Sequence, residues 1–140
     1  DFTIPLGVAD VKREGTDCTV VARSMTVPMA LEAAERMQSE FDVSVEVVDP
    51  RTIKPLDIDT IVASVMKTNR LVIAEESHSF ASVGAEITYQ VMDHAFDYLD
   101  APIKRVSTAE TPMPYAKNLE AAALPSVDKI VAAIKEACYL

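Results

Sequence analysis

Three glycines and no tryptophan in 140 residues leave this chain few of the tight turns on which a strand-dense all-β fold depends. Basic residues are also short. Thirteen Lys and Arg against 22 Asp and Glu give a formal charge of −9 at pH 7, and the isoelectric point lies near 4.6. With no basic excess to neutralise phosphates, the balance argues against nucleic acid as a ligand. An acidic surface suits a basic partner protein, or serves only to keep the domain in solution. Cysteine is scarce too. Cys18 and Cys138 stand at opposite ends, match no metal-ligand spacing and make no disulfide framework, so they read as buried, reduced core thiols. No apolar run approaches a membrane span, and Asp1-Phe2-Thr3 has neither an initiating Met nor a signal-peptide pattern. The chain is therefore expected to be part of a longer one.

What is present is an alternation of two periodicities in a composition that is 49% hydrophobic and 25% charged. Val8-Ala9-Asp10-Val11-Lys12-Arg13 reads as a strand with one solvated side, and the Gly15-Thr16 dipeptide after it suggests a hairpin to Cys18-Thr19-Val20-Val21-Ala22, a continuous apolar run typical of a buried strand. Thr26 caps a helix with Val27, Ala30, Leu31, Ala34, Met37 and Phe41 on one face and a Glu32–Arg36 pair outside. Val43 to Val48 is the next strand, and Asp57 caps a helix burying Ile58, Ile61, Val62, Val65 and Met66. Leu71 to Ala74 is a strand leading into a polar loop, Glu75-Glu76-Ser77-His78. A helix from Ser82 to about Phe96, a strand at Ile103 to Val106, and a last helix capped by Ser126 complete the order. Strands alternating with helices imply right-handed crossovers and a three-layer α/β/α domain.

Candidate chemistry is thin. Glu75, Glu76 and His78 form the one local cluster able to supply general acid/base or metal chemistry. Successive side chains in extended backbone point opposite ways, so the two glutamates cannot both face one site without a bend. His94, late in a helix near Asp93 and Asp97, reads as solvated. Ala22-Arg23-Ser24-Met25-Thr26 lacks the glycines of a phosphate loop, no Gly-x-Ser-x-Gly elbow occurs, and neither cysteine has a nucleophile setting. Gly84 opens a helix after a strand, where an anion or merely close helix–sheet packing would explain it. A free-standing domain binding a small anion beside Ser24, Asp49 and Gly84 is one reading of this pattern. Docking is the other. Asp97, Asp100 and the carboxylate of Leu140 would attract basic groups if they met in space, and Met113-Pro114-Tyr115-Ala116 offers a stiffened apolar patch.

Four segments carry a resemblance. Val48-Asp49-Pro50-Arg51-Thr52-Ile53-Lys54-Pro55-Leu56-Asp57, Val83-Gly84-Ala85-Glu86-Ile87, Leu99-Asp100-Ala101-Pro102 and Pro112-Met113-Pro114-Tyr115-Ala116 resemble, in order and spacing, the C-terminal domain of pyruvate dehydrogenase beta subunits, relatives of transketolase. The likeness spans residues 1–140 as one domain. It implies a five-stranded, mostly parallel sheet with one antiparallel strand, and it sets the first strand away from the second, against the local hairpin signal. It implies an enzyme component that decarboxylates pyruvate on thiamine diphosphate and reductively acetylates lipoyl groups, with the cofactor and its magnesium bound outside this domain. No catalytic, cofactor or metal residue carries over. The implied partners are alpha subunits, a second beta subunit in a heterotetramer, and the basic peripheral subunit-binding domain of the dihydrolipoyl acyltransferase core. Asp100, Leu140 and Asp97 are then the docking residues, and His78, Met113 and Tyr115 the subunit-interface candidates. Branched-chain and acetoin enzymes are related alternatives. The implied compartment is the mitochondrial matrix or the bacterial cytoplasm.

Overall fold

The computed structural model describes residues 2–140. Its strands are β1 (Asp10–Arg13), β2 (Cys18–Ala22), β3 (Val45–Asp49), β4 (Leu71–His78) and β5 (Lys104–Thr108). Its helices are α1 (Thr26–Phe41), α2 (Ile58–Thr68), α3 (Val83–Ala95), α4 (Lys117–Ala123) and α5 (Val127–Cys138), with a 3₁₀ turn at Phe96–Tyr98. The strands form one sheet in the order β1-β3-β2-β4-β5. All neighbours are parallel except β1, which runs antiparallel to β3 with Val11 opposite Val48. One apolar core joins α1 and α5 to one face, through Ala30, Ala34, Met37, Ile130 and Ile134. A second joins α2 and α3 to the other, through Ile61, Val65, Ile87 and Val91. The expected three-layer α/β/α architecture and mixed sheet are both present.

The hairpin signal at Gly15-Thr16 fails for a local reason. Gly15 crosses the start of β3 so closely that a Cβ would lie 2.2 Å from the Val45 carbonyl carbon. Its N–H donates to Glu46 Oε2 at 3.2 Å, and the N–H groups of Thr16 and Asp17 donate to the Ser44 carbonyl at 3.1 and 2.8 Å. The chain is thus carried across β3 to the far side, leaving β1 at the edge.

Three further expectations are corrected. Thr26 does not cap α1. It is the first helical residue after Met25, and its buried hydroxyl lies 2.8 Å from the Ala74 carbonyl, tying α1 to β4. Arg36 reaches Asp128 of α5 at 2.7 Å and Glu40 at 3.7 Å rather than Glu32. Met66 is exposed, while Ser64 and Thr68 are buried on the inner side of α2. They are inward because Thr19 on central β2 bonds both hydroxyls, at 2.6 and 2.7 Å. The short helix α4, to which the sequence reading assigned no element, starts at Lys117 without a side-chain cap. Asp57, Ser82 and Ser126 cap α2, α3 and α5 as their positions suggest, each accepting from the backbone N–H three residues on.

Candidate functional site

The carboxyl ends of the parallel strands, where α/β sheets usually hold ligands, are here closed by the chain's own groups. Glu75 is not in a loop. It lies within β4 and is buried, while Glu76 points to solvent. Its carboxylate sits at the N-terminus of α3, accepting from Ser82 Oγ at 2.6 Å and from the Gly84 N–H at 3.1 Å, with Arg23 Nη2 at 3.3 Å. Burial pushes the Glu75 carboxyl upward, but donors from Ser82, Ser77, Gly84 and Arg23 outweigh it and hold the group below the usual range. Gly84 is glycine because a Cβ would fall 2.3 Å from Glu75 Oε1. The anion suggested at this helix start is therefore internal. Ser24 and Asp49 do share a cleft of about 380 Å³ with Arg23 and Arg51, but Gly84 does not line it, so the three proposed anion-site residues are not brought together.

The segment from Arg51 to Asp57 acts as a clamp, a role the sequence reading did not assign. Thr52 Oγ1 accepts from the Gly7 N–H at 3.0 Å, Asp57 Oδ2 accepts from the Ala9 N–H at 2.9 Å, and Arg51 reaches Asp10 at 2.6 Å. Together they hold the incoming residues 7–10 against the sheet.

The docking candidates lie at the opposite, amino end of the strands. Asn69, the left-handed cap of α2, donates from Nδ2 to the Tyr98 carbonyl, and its own carbonyl accepts from the Asp100 N–H, both at 2.9 Å. The penultimate residue, Tyr139, donates its hydroxyl to the Asp100 carbonyl at 3.1 Å. The Tyr139 side chain thereby reaches the Asp100 backbone, although 39 positions separate the two residues. Asp97, Asp100 and Leu140 are all exposed. An apolar hollow of about 290 Å³, lined by Met92, Phe96, Leu99 and Pro102 among others, has Asp100 in its wall.

The interface candidates lie on two linked loops at the carboxyl ends. His78 closes β4 opposite Thr108 of β5. Glu110 accepts from Ser79 Oγ at 2.5 Å and from the Phe80 N–H at 3.0 Å, joining the loop after β4 to the loop after β5. Phe80, Met113 and Tyr115 are exposed there, Tyr115 completely. An uncovered aromatic group on a proline-stiffened loop is the composition of a contact patch. Phe80 was not singled out from the sequence; one exposed Phe in a polar stretch gives no signal until the loops are brought together. The cysteine expectation is corrected in part: Cys18 is buried and both thiols are free, but Cys138 is only half-buried.

A five-stranded mixed sheet clasped between helices, with a clamped amino-terminal lead-in, defines a class of domain. The transketolase C-terminal domain family matches residues 7–130, and the chain belongs to it. Among curated proteins it is similar to the pyruvate dehydrogenase E1 component subunit beta of Rickettsia felis. The two are 54% identical over 136 residues, covering 97% of this chain and 41% of that protein. It is also similar to the mitochondrial pyruvate dehydrogenase E1 component subunit beta-2 of Oryza sativa subsp. japonica, at 51% over 138 residues, covering 99% of this chain and 36% of that one. The chain thus spans about two fifths of the length of the curated relatives it matches. Among solved structures, a split-gene transketolase described as an inactive beta4 tetramer superposes with a TM-score of 0.84 at 27% identity. That match covers all of this chain and 44% of the other.

Proposed function

We propose that residues 1–140 are the C-terminal assembly and docking domain of the beta subunit of a pyruvate dehydrogenase E1 component. The whole enzyme would oxidatively decarboxylate pyruvate and reductively acetylate a lipoyl group, using thiamine diphosphate and magnesium held outside this domain. The filling of the glycine-bearing N-terminus of α3 by Glu75 supports a cofactor site elsewhere in the enzyme. Alpha subunits and a second beta subunit would contact the loops bearing His78, Met113 and Tyr115. Relatives from bacteria and from mitochondria support the bacterial cytoplasm or the mitochondrial matrix as its compartment.

Asp100, Asp97 and the carboxylate of Leu140 would receive the basic peripheral subunit-binding domain of the dihydrolipoyl acyltransferase core. The observation that supports this reading is the Tyr139–Asp100 hydrogen bond, which ties the residue after α5 to the backbone of the Leu99–Pro102 turn. Exposed anionic groups match Lys and Arg by charge-assisted bonds and speed encounter. In the full assembly, Asp100→Ala should weaken core binding by about 1–3 kcal/mol, the cost of a lost hydrogen bond to a charged group. Titration calorimetry at two salt concentrations measures it. An unchanged affinity removes Asp100 from the docking surface.

A further inference from the structure

The loops that follow β4 and β5 are joined by side chains. The β4–β5 ladder shifts register between Ala74 and His78, and four bonds then link the two segments. Thr108 Oγ1 donates to the Glu76 carbonyl at 2.6 Å, and Arg105 Nη2 donates to the Ser79 carbonyl at 2.8 Å. Glu110 Oε1 accepts from Ser79 Oγ at 2.5 Å and from the Phe80 N–H at 3.0 Å. The two loops differ in how well they support themselves. Glu110 stands on the stiffer one, where Pro112 and Pro114 fix φ and the Ala109 N–H donates to the Ala123 carbonyl of α4 at 2.8 Å. The other loop turns at Ala81 with a φ of 53°, a left-handed backbone that alanine seldom adopts. That turn needs contacts from outside to keep its shape.

We propose that Glu110 is a latch that fixes the loop after β4 in its docking shape, so that a neighbouring alpha subunit meets Phe80 and the Met113–Tyr115 loop as one pre-formed surface. This role rests on the reading of these loops as subunit contacts. Two loose loops would each have to be ordered on binding, at a cost in affinity, whereas loops already tied together avoid that cost. Glu110 touches no partner itself in this scheme; it acts as a positioning residue through Ser79 and the Phe80 backbone.

The chemistry of the surface says what it would meet. Phe80, Met113 and Tyr115 are all exposed, so the complementary surface is an apolar recess that takes aromatic rings and a thioether. A second copy of this chain brings the same charge of −9 and the same Glu76 and Glu110 to the contact, and like charges facing each other oppose association. The alpha subunit is the partner that fits. Both latch bonds end on one oxygen of Glu110. What holds the loop is therefore an acceptor in the right place rather than a pair of opposite charges.

Two measurements test the latch. Hydrogen exchange on the 140-residue chain alone reads the loop, and titration of the beta subunit carrying this domain with the alpha subunit reads docking. Glu110→Ala should speed exchange at residues 79–82 while the melting temperature stays near wild type. It should also weaken alpha-subunit binding by roughly three- to tenfold, the factor by which the docking-competent fraction of the loop falls. Glu110→Gln keeps the accepting oxygen and should bring both readings back towards wild type. Ser79→Asp, which sets a carboxylate against Glu110, should behave as Glu110→Ala does. Unchanged exchange in Glu110→Ala, faster exchange with unchanged affinity, or no rescue by glutamine would each overturn the latch. Tyr115→Ser separates the latch from the contact reading beneath it. If that variant binds the alpha subunit as wild type does, the contact surface itself is wrong; if it binds weakly while Glu110→Ala binds normally, only the latch falls.

Discussion

Replacing Glu75 by Gln tests whether the buried carboxylate organises the carboxyl ends of the strands. The native group is 1% exposed and accepts from Ser82, Gly84 and Arg23. Glutamine keeps the shape but offers one acceptor oxygen, and its amide nitrogen must face a donor. At least one donor is then left unmatched, and Arg23 loses its counter-charge. Hydrogen bonds to a charged group contribute about 1.5–3 kcal/mol each, and an anion at a helix N-terminus adds about 0.3–1 kcal/mol. Allowing for the contact that glutamine retains, the net loss should be about 2–4 kcal/mol. In a chain of this size that lowers the melting temperature by roughly 6–15 °C.

Urea denaturation of wild type and variant across a pH series is the assay. The folded-state pKa of Glu75 is depressed, so its contribution is complete above the unfolded carboxylate pKa. It fades as pH falls through the folded value. The gap between wild type and Glu75→Gln should therefore be full at neutral pH and narrow on acidification. A gap below about 0.5 kcal/mol at neutral pH, or one that acid leaves unchanged, would refute the reasoning.

Gly15→Ala places a methyl group 2.2 Å from the Val45 carbonyl carbon and 2.3 Å from the Glu46 nitrogen, both backbone atoms that cannot step aside. It should cost about 3 kcal/mol or more, at the upper end of overpacking; a melting temperature equal to wild type by calorimetry would show that the connection between β1 and β2 does not cross β3 so closely. Thr19→Val leaves the buried Ser64 and Thr68 hydroxyls without their shared partner, at about 1–3 kcal/mol by chemical denaturation. Adding Ser64→Ala and Thr68→Val should recover part of that loss, and simple additivity of the three would contradict a shared cluster.

Most elements could be read from periodicity. The apolar runs at residues 18–22, 45–48 and 71–74 are strands, and the faces built on Ala30, Ala34 and Met37 and on Ile130 and Ile134 are buried as their spacing requires. Caps at Asp57, Ser82 and Ser126 were legible because a side-chain oxygen three residues before a free N–H is a local relation. Glu75 was not. Nothing adjacent in sequence marks it as buried, since its partners Arg23 and Gly84 arrive from the residue after β2 and from the start of α3. The inward hydroxyls of α2 were hidden for the same reason, as their partner Thr19 lies 45 and 49 positions away.

The sequence by itself determined the succession of strands and helices, the layered architecture and, through four motifs, the family, because these follow from local periodicity and short-range spacing. Only the tertiary structure decided which groups meet. It placed β1 beside β3, drew Glu75 to the head of α3 and set the Tyr139 hydroxyl against the Asp100 backbone. Those pairings depend on strand order and crossover path, which bring distant segments together through the packing of two cores rather than through any signal adjacent in the chain.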